Sequence, residues 1–186
     1  MHREKLITDT EERMKKTLEN TRKEVASIRT GRATTSLLDT VQVMYYGNLT
    51  PLAQVASVSA PEPRMLVVTP WDKSVIHEIM KAIAKADLGF NPTDDGTIIR
   101  VPIPALTEER RKDMVKLVGK LVEEGRVHIR QVRREANDEL KKKLKAGDIP
   151  EDDEKRAEQD IQKLTDRYIA MVDEMLAKKT LEIMEV

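Results

Sequence analysis

The start of the chain carries apolar or small residues on one side of a predicted helix. They recur three, four or seven positions apart, a spacing typical of helices that pack together along a narrow seam. The seam consists of Ile7, Met14, Leu18, Thr21, Val25 and Ile28. We predict a first helix that ends at Thr30-Gly31-Arg32, where glycine can adopt the left-handed conformation that closes many helices.

Two further long helices are predicted in the second half of the chain. Residues 107–146 contain no proline, and a helix of this length would extend about 60 Å at ~1.5 Å per residue. Its buried stripe would be Val118, Val122, Gly125, Ile129, Val132, Ala136, Leu140 and Leu144. A last helix is expected over residues 151–185, with a seam at Ala157, Ile161, Leu164, Tyr168, Met171 and Met175. Three such seams indicate a helical bundle.

The residues between the first two long helices have the pattern of strands and turns. Residues 41–46 are rich in β-branched and aromatic side chains, and Gly47-Asn48 is predicted to follow as a turn. Further strands are predicted at residues 54–59, 65–69 and 97–101. A short helix is expected from Asp72 to about residue 87, with Asp72 as its N-cap.

The order of these elements predicts an α+β protein with two domains. A long three-helix bundle, residues 1–31 and 105–186, would carry a small inserted β/α/β domain, residues 32–104. Hinges near residues 30–32 and 101–105 would join them and give an elbow-like molecule. One junction contains Gly31, which can bend freely, and the other contains Pro102 and Pro104, which restrict the backbone.

Charge is unevenly distributed along a chain whose formal net charge is zero. Residues 110–145 of the long helix carry 13 basic and 6 acidic side chains, a net charge of +7. Residues 146–186 carry −6, and residues 33–109 carry −4. A stiff basic rod on a neutral protein indicates a polyanion as its partner.

The arginines of the long helix are the main candidates for that contact. Arg126, Arg130 and Arg133 are spaced i, i+4 and i+7, which predicts one solvent-facing row, and Arg134 lies beside them. The planar guanidinium can donate two parallel hydrogen bonds to a phosphate. A solvated helix face with local ion pairs explains the same spacing equally well.

Signals for catalysis or for a bound metal are weak. The chain has no cysteine, which excludes disulfides and thiol chemistry, and it has no glycine-rich phosphate loop. His77-Glu78 begins a zinc-protease pattern, but Lys81 occupies the position of the second histidine. Asp94-Asp95-Gly96 is interpreted as a turn. We expect no enzyme activity, cofactor or metal; the competing hypothesis is a metal-dependent hydrolase that uses Asp94, Asp95 and His77.

The sequence predicts a cytoplasmic protein without a membrane segment. The first residues lack the apolar stretch of a signal peptide, and the longest clear apolar run is residues 65–68. For the single tryptophan, Trp71, which precedes a predicted helix, packing in the core or at a hinge is favoured over stacking on a nucleic-acid base.

Several stretches resemble the bacterial ribosome recycling factor family. They follow one another along essentially the whole chain, and some are six or more residues long, so the resemblance is specific. They are Ile28-Arg29-Thr30-Gly31-Arg32-Ala33, Tyr45-Tyr46-Gly47 with Thr50-Pro51-Leu52, Ala86-Asp87-Leu88-Gly89 with Asn91-Pro92, Leu106-Thr107-Glu108-Glu109-Arg110-Arg111-Lys112, Val132-Arg133-Arg134-Glu135-Ala136-Asn137-Asp138, and Gln162-Lys163-Leu164-Thr165-Asp166. Val186 departs from the aromatic residue that often ends the family's chains.

The resemblance implies a fold and a function. The fold is a three-helix bundle with a smaller β/α/β domain, in an L shape comparable to transfer RNA. The function is to bind the post-termination ribosome and, with elongation factor G and GTP, to promote its dissociation into subunits with release of mRNA and deacylated tRNA. The elongation factor, and not this chain, would hydrolyse the GTP.

The resemblance also implies which residues form the hinge and which contact the ribosome. The hinge would consist of Thr30, Gly31, Val101, Pro102, Ile103, Pro104 and Ala105. The target would be large-subunit rRNA near the intersubunit contact, and the matching positions are Arg29, Arg32, Arg130, Arg133 and Arg134. Arg29 and Arg32 would end the first helix, where the helix dipole alone also favours cations. The protein is expected to be a monomer. The alternative is a non-catalytic helical adaptor or RNA-binding protein whose seams bind a partner helix, for which a stable dimer is expected.

Overall fold

The computed structural model describes residues 2–185 and divides into two compact units. One unit comprises the residues up to Thr30 together with Glu108–Glu185, and the other is Gly31–Thr107. The first is a helical bundle, and the second contains the strands and one short helix. The predicted α+β class is therefore confirmed.

Three helices form the bundle: α1 (His2–Ala26), α3 (Glu108–Lys145) and α4 (Glu151–Met184). The 38 residues of α3 correspond to about 57 Å at ~1.5 Å per residue. Arg13 of α1 contacts Glu135 of α3, whereas Arg167 of α4 donates to Glu11 of α1 at 2.6 Å. With the pair between Arg3 and Asp153, the contact to Arg167 makes α1 parallel to α4. With the contact of Thr21 to Gly125, the contact to Glu135 makes α1 antiparallel to α3.

The bundle core follows the predicted seams closely in α3 and less closely in α4. Every predicted core position of α3 is buried except Leu144, which is partly buried. In α4 the fully buried positions include Thr165 and Val172, while Leu164 and Met171 lie at the edge of the core. At these two positions the buried stripe of α4 is shifted by one residue toward the C-terminus relative to the prediction, because one face of this helix must cover both α1 and α3.

Small residues allow α1 and α3 to approach each other closely. A Cβ atom added to Gly125 would lie 2.6 Å from Oγ1 and 3.1 Å from Cγ2 of Thr21. Thr21 is buried, and its hydroxyl donates to the Thr17 carbonyl oxygen at 2.9 Å. The polar group at this contact is therefore satisfied within its own helix, and only glycine fits opposite it.

The four-stranded antiparallel sheet of the second unit has the order β3-β4-β6-β5. Its strands are β3 (Ala56–Glu62), β4 (Met65–Pro70), β5 (Thr93–Asp94) and β6 (Ile99–Pro102). Strands β1 (Gln42–Tyr45) and β2 (Asn48–Pro51) form a separate hairpin. The helix α2 (Ile76–Lys85) contributes Ile76, Ile79, Ala82 and Ile83 to a core shared with both sheets.

The turn between β1 and β2 lies at a different position from the one predicted. The two-residue loop of the β1–β2 hairpin is Tyr46-Gly47, and both residues have positive φ, 46° and 81°. Asn48 already belongs to β2, so the predicted Gly47-Asn48 turn is wrong by one residue. Positive φ at both loop positions matches the twist of the flanking strands, even though tyrosine rarely adopts it.

The residues at the two junctions have different surroundings. Helix α1 ends at Ala26, earlier than predicted. Gly31 is buried with φ of 79°, and a Cβ atom there would lie 3.3 Å from Leu106 Cγ. Val101 and Ile103 belong to the core of the second unit, and the Ile103 N–H donates to the Arg64 carbonyl oxygen at 2.8 Å.

Two glycines of α3 provide a matched test of the close helix approach. Gly119 has nothing within 4 Å of an added Cβ, so Gly119→Ala should raise the free energy of unfolding by about 1 kcal/mol through helix propensity. Gly125→Ala should lower it by about 1–2 kcal/mol, because the new methyl group collides with Thr21. Urea denaturation of the two variants would measure the difference; equal stabilisation by both would contradict the close approach.

The contact between Arg13 and Glu135 predicts how the stability of the bundle depends on pH. Hydrogen bonds from Arg13 and then Gln131, followed by the charge of Arg13, lower the pKa of Glu135. A carboxyl with a lowered pKa stabilises the fold above its unfolded pKa, and this contribution is lost as pH falls through the folded value. We expect the stability difference between the unchanged protein and Glu135→Gln to be constant near neutral pH and to shrink below about pH 4.5. A difference that grows in acid would contradict this.

Candidate nucleic-acid interface

The arginines of α3 were predicted as one solvent-facing row, but the structure divides them by their partners. The Arg126 side chain is only 19% exposed. Its Nε donates to Asp173 Oδ1 of α4 at 2.7 Å, and its Nη1 donates to Glu123 Oε2 at 2.8 Å. Burial alone would lower the pKa of Arg126, but the hydrogen bonds to Asp173 and Glu123 outweigh it and raise the pKa. Arg126 is thus a cross-link between α3 and α4.

Arg130 and Arg134 keep most of their donors available. The Arg130 side chain is 38% exposed, and its Nη1 is 3.8 Å from Glu123 Oε1. This carboxylate already accepts the shorter bond from Arg126. Arg134 is exposed and makes one long hydrogen bond, 3.4 Å, to the Gln131 side chain. Both guanidinium groups can therefore still donate to an external phosphate.

Arg133 has no ion pair or hydrogen-bond partner among residues 2–185. It is half-buried, one position after the core residue Val132. Asn137, one helical turn further along, has a buried Oδ1 without a hydrogen-bond partner in the described chain. Because none of its donors is used within the described chain, Arg133 is the best placed of these arginines to bind an anionic ligand.

Two lysines that were not predicted as contacts extend the basic face. Lys116 and Lys141 are exposed and are separated from Arg134 by 18 and 7 residues, close to whole numbers of helical turns. With Arg130 and Arg134 they form a row that we call the basic strip, of about 37 Å at ~1.5 Å per residue. Helical periodicity was the signal that could have identified it.

Arg29 and Arg32 do not belong to α3 or to the basic strip. Because α1 ends at Ala26, both belong to the connecting segment rather than to the end of a helix. Arg29 is assigned to the bundle unit and Arg32 to the other unit, and both are exposed. The structure therefore brings Arg130, Arg133 and Arg134 together on α3, and their role and that of Arg29 and Arg32 stay predictions.

The residues considered for a hydrolase serve the local fold. Asp94 Oδ2 accepts the Gly96 N–H at 3.1 Å, and Asp95 Oδ1 accepts the N–H groups of Thr97 and Ile98, both at 2.9 Å. These main-chain hydrogen bonds lower the pKa of Asp95, and the bond from Ile98 contributes most. Within residues 2–185 no cluster of three or more potential metal ligands occurs.

Two other expectations concerned a membrane segment and Trp71. Between residues 2 and 185, no helix combines the length and the apolar character needed to cross a membrane. The expectation that Trp71 packs in a core or at a hinge is wrong, because its side chain is 67% exposed. The preceding strand residue, Pro70, is buried instead.

The chain is similar to known proteins over nearly its full length. Residues 21–184 match the family described as ribosome recycling factor. Proteins named ribosome-recycling factor from Bacillus velezensis and Bacillus subtilis are 56% and 54% identical over 181 residues, which cover 97% of this chain and 98% of each relative. The relative from Desulforamulus reducens is 54% identical with the same coverage.

Solved structures share the fold as well. A solution structure of a ribosome recycling factor aligns with a TM-score of 0.77 and 41% identity, covering 100% of this chain and 99% of that one. The T. thermophilus ribosome recycling factor, described with E. coli elongation factor G bound to the E. coli post-termination complex, aligns with a TM-score of 0.65 and 49% identity, covering 98% and 99%.

The different surroundings of Arg126 and Arg133 predict that their replacement by alanine has different effects on stability. Arg126→Ala should lower the free energy of unfolding by about 1–2 kcal/mol, because Asp173 loses a charged hydrogen bond between helices. Arg133→Ala should change it by less than about 0.5 kcal/mol, since no partner is lost. Thermal and urea unfolding would measure both; an equally large loss for Arg133→Ala would show a structural role for that side chain.

Proposed function

The chain belongs to the ribosome recycling factor family, and from this premise we propose that it binds the post-termination ribosome and, with elongation factor G and GTP, promotes its dissociation into subunits. In this proposal mRNA and deacylated tRNA leave at the same step, in the cytoplasm. The solved relative described together with elongation factor G in a post-termination complex supports the proposal. The observation in this chain that carries it is the unpaired Arg133 beside the basic strip.

The proposed contact is large-subunit rRNA near the intersubunit face. Arg130, Arg133 and Arg134 would donate to phosphate oxygens, with Arg29 and Arg32 as further contacts near the junction. A rigid rod with cations at fixed spacing suits a folded RNA backbone, whose phosphates are also at fixed spacing. Contacts to phosphate position a protein without reading the sequence, as recognition of a ribosomal surface by shape requires.

The bundle would act as a stiff lever, with the second unit swinging against the elongation factor. Within the predicted hinges, Val101 and Ile103 are held in the core of the second unit and Gly31 is packed against Leu106. We therefore assign most of the proposed bending to the residues around Thr30 and to Pro104 and Ala105, which precede α3. An L-shaped arrangement of the units remains part of the proposal.

The proposed protein has no catalytic step of its own. GTP hydrolysis would belong to the elongation factor, and this chain would need no cofactor. The adaptor alternative requires an apolar seam that is available to another helix. The seams of α1, α3 and α4 instead bury Met14, Ile129 and Tyr168 in one shared cluster, which favours a monomer.

Binding of the unchanged protein and Arg133→Ala to vacant ribosomes and isolated large subunits, measured by co-sedimentation over a salt series, tests the proposal. We expect the substitution to weaken binding several-fold at moderate salt. Loss of one phosphate contact should reduce the slope of log affinity against log salt by about one unit.

Lys163→Ala is the matched control, because it removes one exposed cation from α4 and should leave the salt slope unchanged. Arg133→Lys should recover part of the affinity, since it keeps the charge but loses the two-pronged donor. An unchanged affinity and slope for Arg133→Ala would remove this residue from the contact, and no binding at low salt would contradict the proposed function itself.

A further inference from the structure

A second surface, in the unit formed by Gly31–Thr107, has the features of a site for an extended peptide. Strand β3 is the first strand in the sheet order and is paired only with β4. The main-chain N–H of Trp71 donates to the Val55 carbonyl oxygen at 3.2 Å, and Ser57 lies opposite Thr69. In an antiparallel ladder the hydrogen-bonding groups of successive residues point to opposite sides, so those of Ala56 and Val58 point away from β4.

Only the first half of this edge is open to another strand. Further along β3, Pro61 lacks an N–H group, and the register is irregular between Ser59 and Glu62. Prolines and bulges are devices that prevent unwanted pairing along an exposed edge. The stretch from Ala56 to Ser59 lacks both devices, which leaves a short segment where pairing is sterically permitted.

A groove of about 430 Å³ runs beside this open segment. Its apolar surface includes Leu38 and Leu52, which are each 2% exposed, and Trp71, which is 67% exposed. Alternate side chains of an added strand point to the same face, so they could enter the groove while the backbone pairs with β3. Large exposed aromatic residues are enriched at recognition sites.

Strained and charged residues beside Trp71 support a binding role. Tyr46 has a φ of 46°, is 75% exposed, and donates its hydroxyl to Asp72 Oδ2 at 3.3 Å. Strained residues that the surrounding structure holds in place often occur at functional sites. The single charged residue among those that line the groove is Asp39, which repels phosphate and attracts a cation.

We propose that β3 and this groove bind an extended, apolar segment of a partner protein that carries lysine or arginine and adds to the sheet beside β3. Main-chain hydrogen bonds to Ala56 and Val58 would provide affinity, and the groove with Asp39 would provide selectivity. This site does not depend on the basic strip or on its proposed function.

The test uses the full-length protein and a fluorescein-labelled eight-residue peptide that alternates valine with lysine and threonine. Fluorescence polarisation reports binding, and an unlabelled peptide reports occupancy of the groove, because Trp71 is the only tryptophan in the chain. We expect saturable binding below about 1 mM, the weak end of specific recognition, with a blue shift of Trp71 emission. Two further peptides carry N-methyl groups on alternate backbone nitrogens, one peptide along each edge of the strand. The peptide methylated on the edge that pairs with β3 should not bind, because it lacks the N–H donors for that pairing.

Asp39→Lys should weaken binding about fivefold, whereas Glu174→Lys, the same charge change at an exposed position of α4, should not. Circular dichroism of each variant would establish that it is folded. If both methylated peptides bind as well as the unmethylated peptide, strand addition is overturned. No binding of the peptide at about 1 mM would overturn the site, as would an oligouridylate RNA that shifts Trp71 emission and displaces the peptide.

Discussion

The mutual burial of three helical seams determines most of what the bundle can do. Helices α1, α3 and α4 each cover the other two, and the contact between Gly125 and Thr21 sets how closely α1 and α3 approach. A thin core leaves most of the long charged side chains of α3 exposed. Cations on α3 are therefore held at fixed spacing on a rod of about 57 Å, a geometry that a flexible basic tail does not have.

Ion pairs between helices then decide which of these cations are available. Arg126 binds Asp173, which is 47 residues away in sequence, and Arg13 contacts Glu135, which is 122 residues away. Spacing within α3 places Arg126 and Arg133 on the same side of the helix, but it does not reveal the acids on neighbouring helices. The sequence therefore identified the basic helix, whereas only the packed structure separates Arg126, a cross-link, from Arg133.

The same distinction explains which parts of the fold could be predicted. Long periodic segments gave α3 and α4 to within one residue at each end, since α3 runs from Glu108 to Lys145 and α4 from Glu151 to Met184. Asp72 is an N-cap, and its carboxylate accepts the Ser74 N–H at 2.9 Å, but it caps a 3-10 turn, Lys73–Val75, that precedes α2 and not the predicted helix itself. The β1–β2 turn was not predicted correctly, because Tyr46 adopts a positive φ that its residue type disfavours. The exposure of Trp71 depends on tertiary packing, which a short strand pattern does not encode.

The two proposed surfaces rely on different physical interactions. Residues 33–109 carry −4, but the structural unit 31–107 gains Arg32 and loses Glu108 and Glu109 to α3, so its net charge is only −1. Long-range attraction is therefore a poor explanation for partners of that unit, whereas main-chain pairing and apolar burial are short-range and depend little on ionic strength. Contacts along residues 110–145 of α3, which carry a net charge of +7, must instead weaken steeply as salt rises. Salt can consequently separate the two surfaces on one molecule, because it weakens the helical contact and leaves the strand contact largely intact.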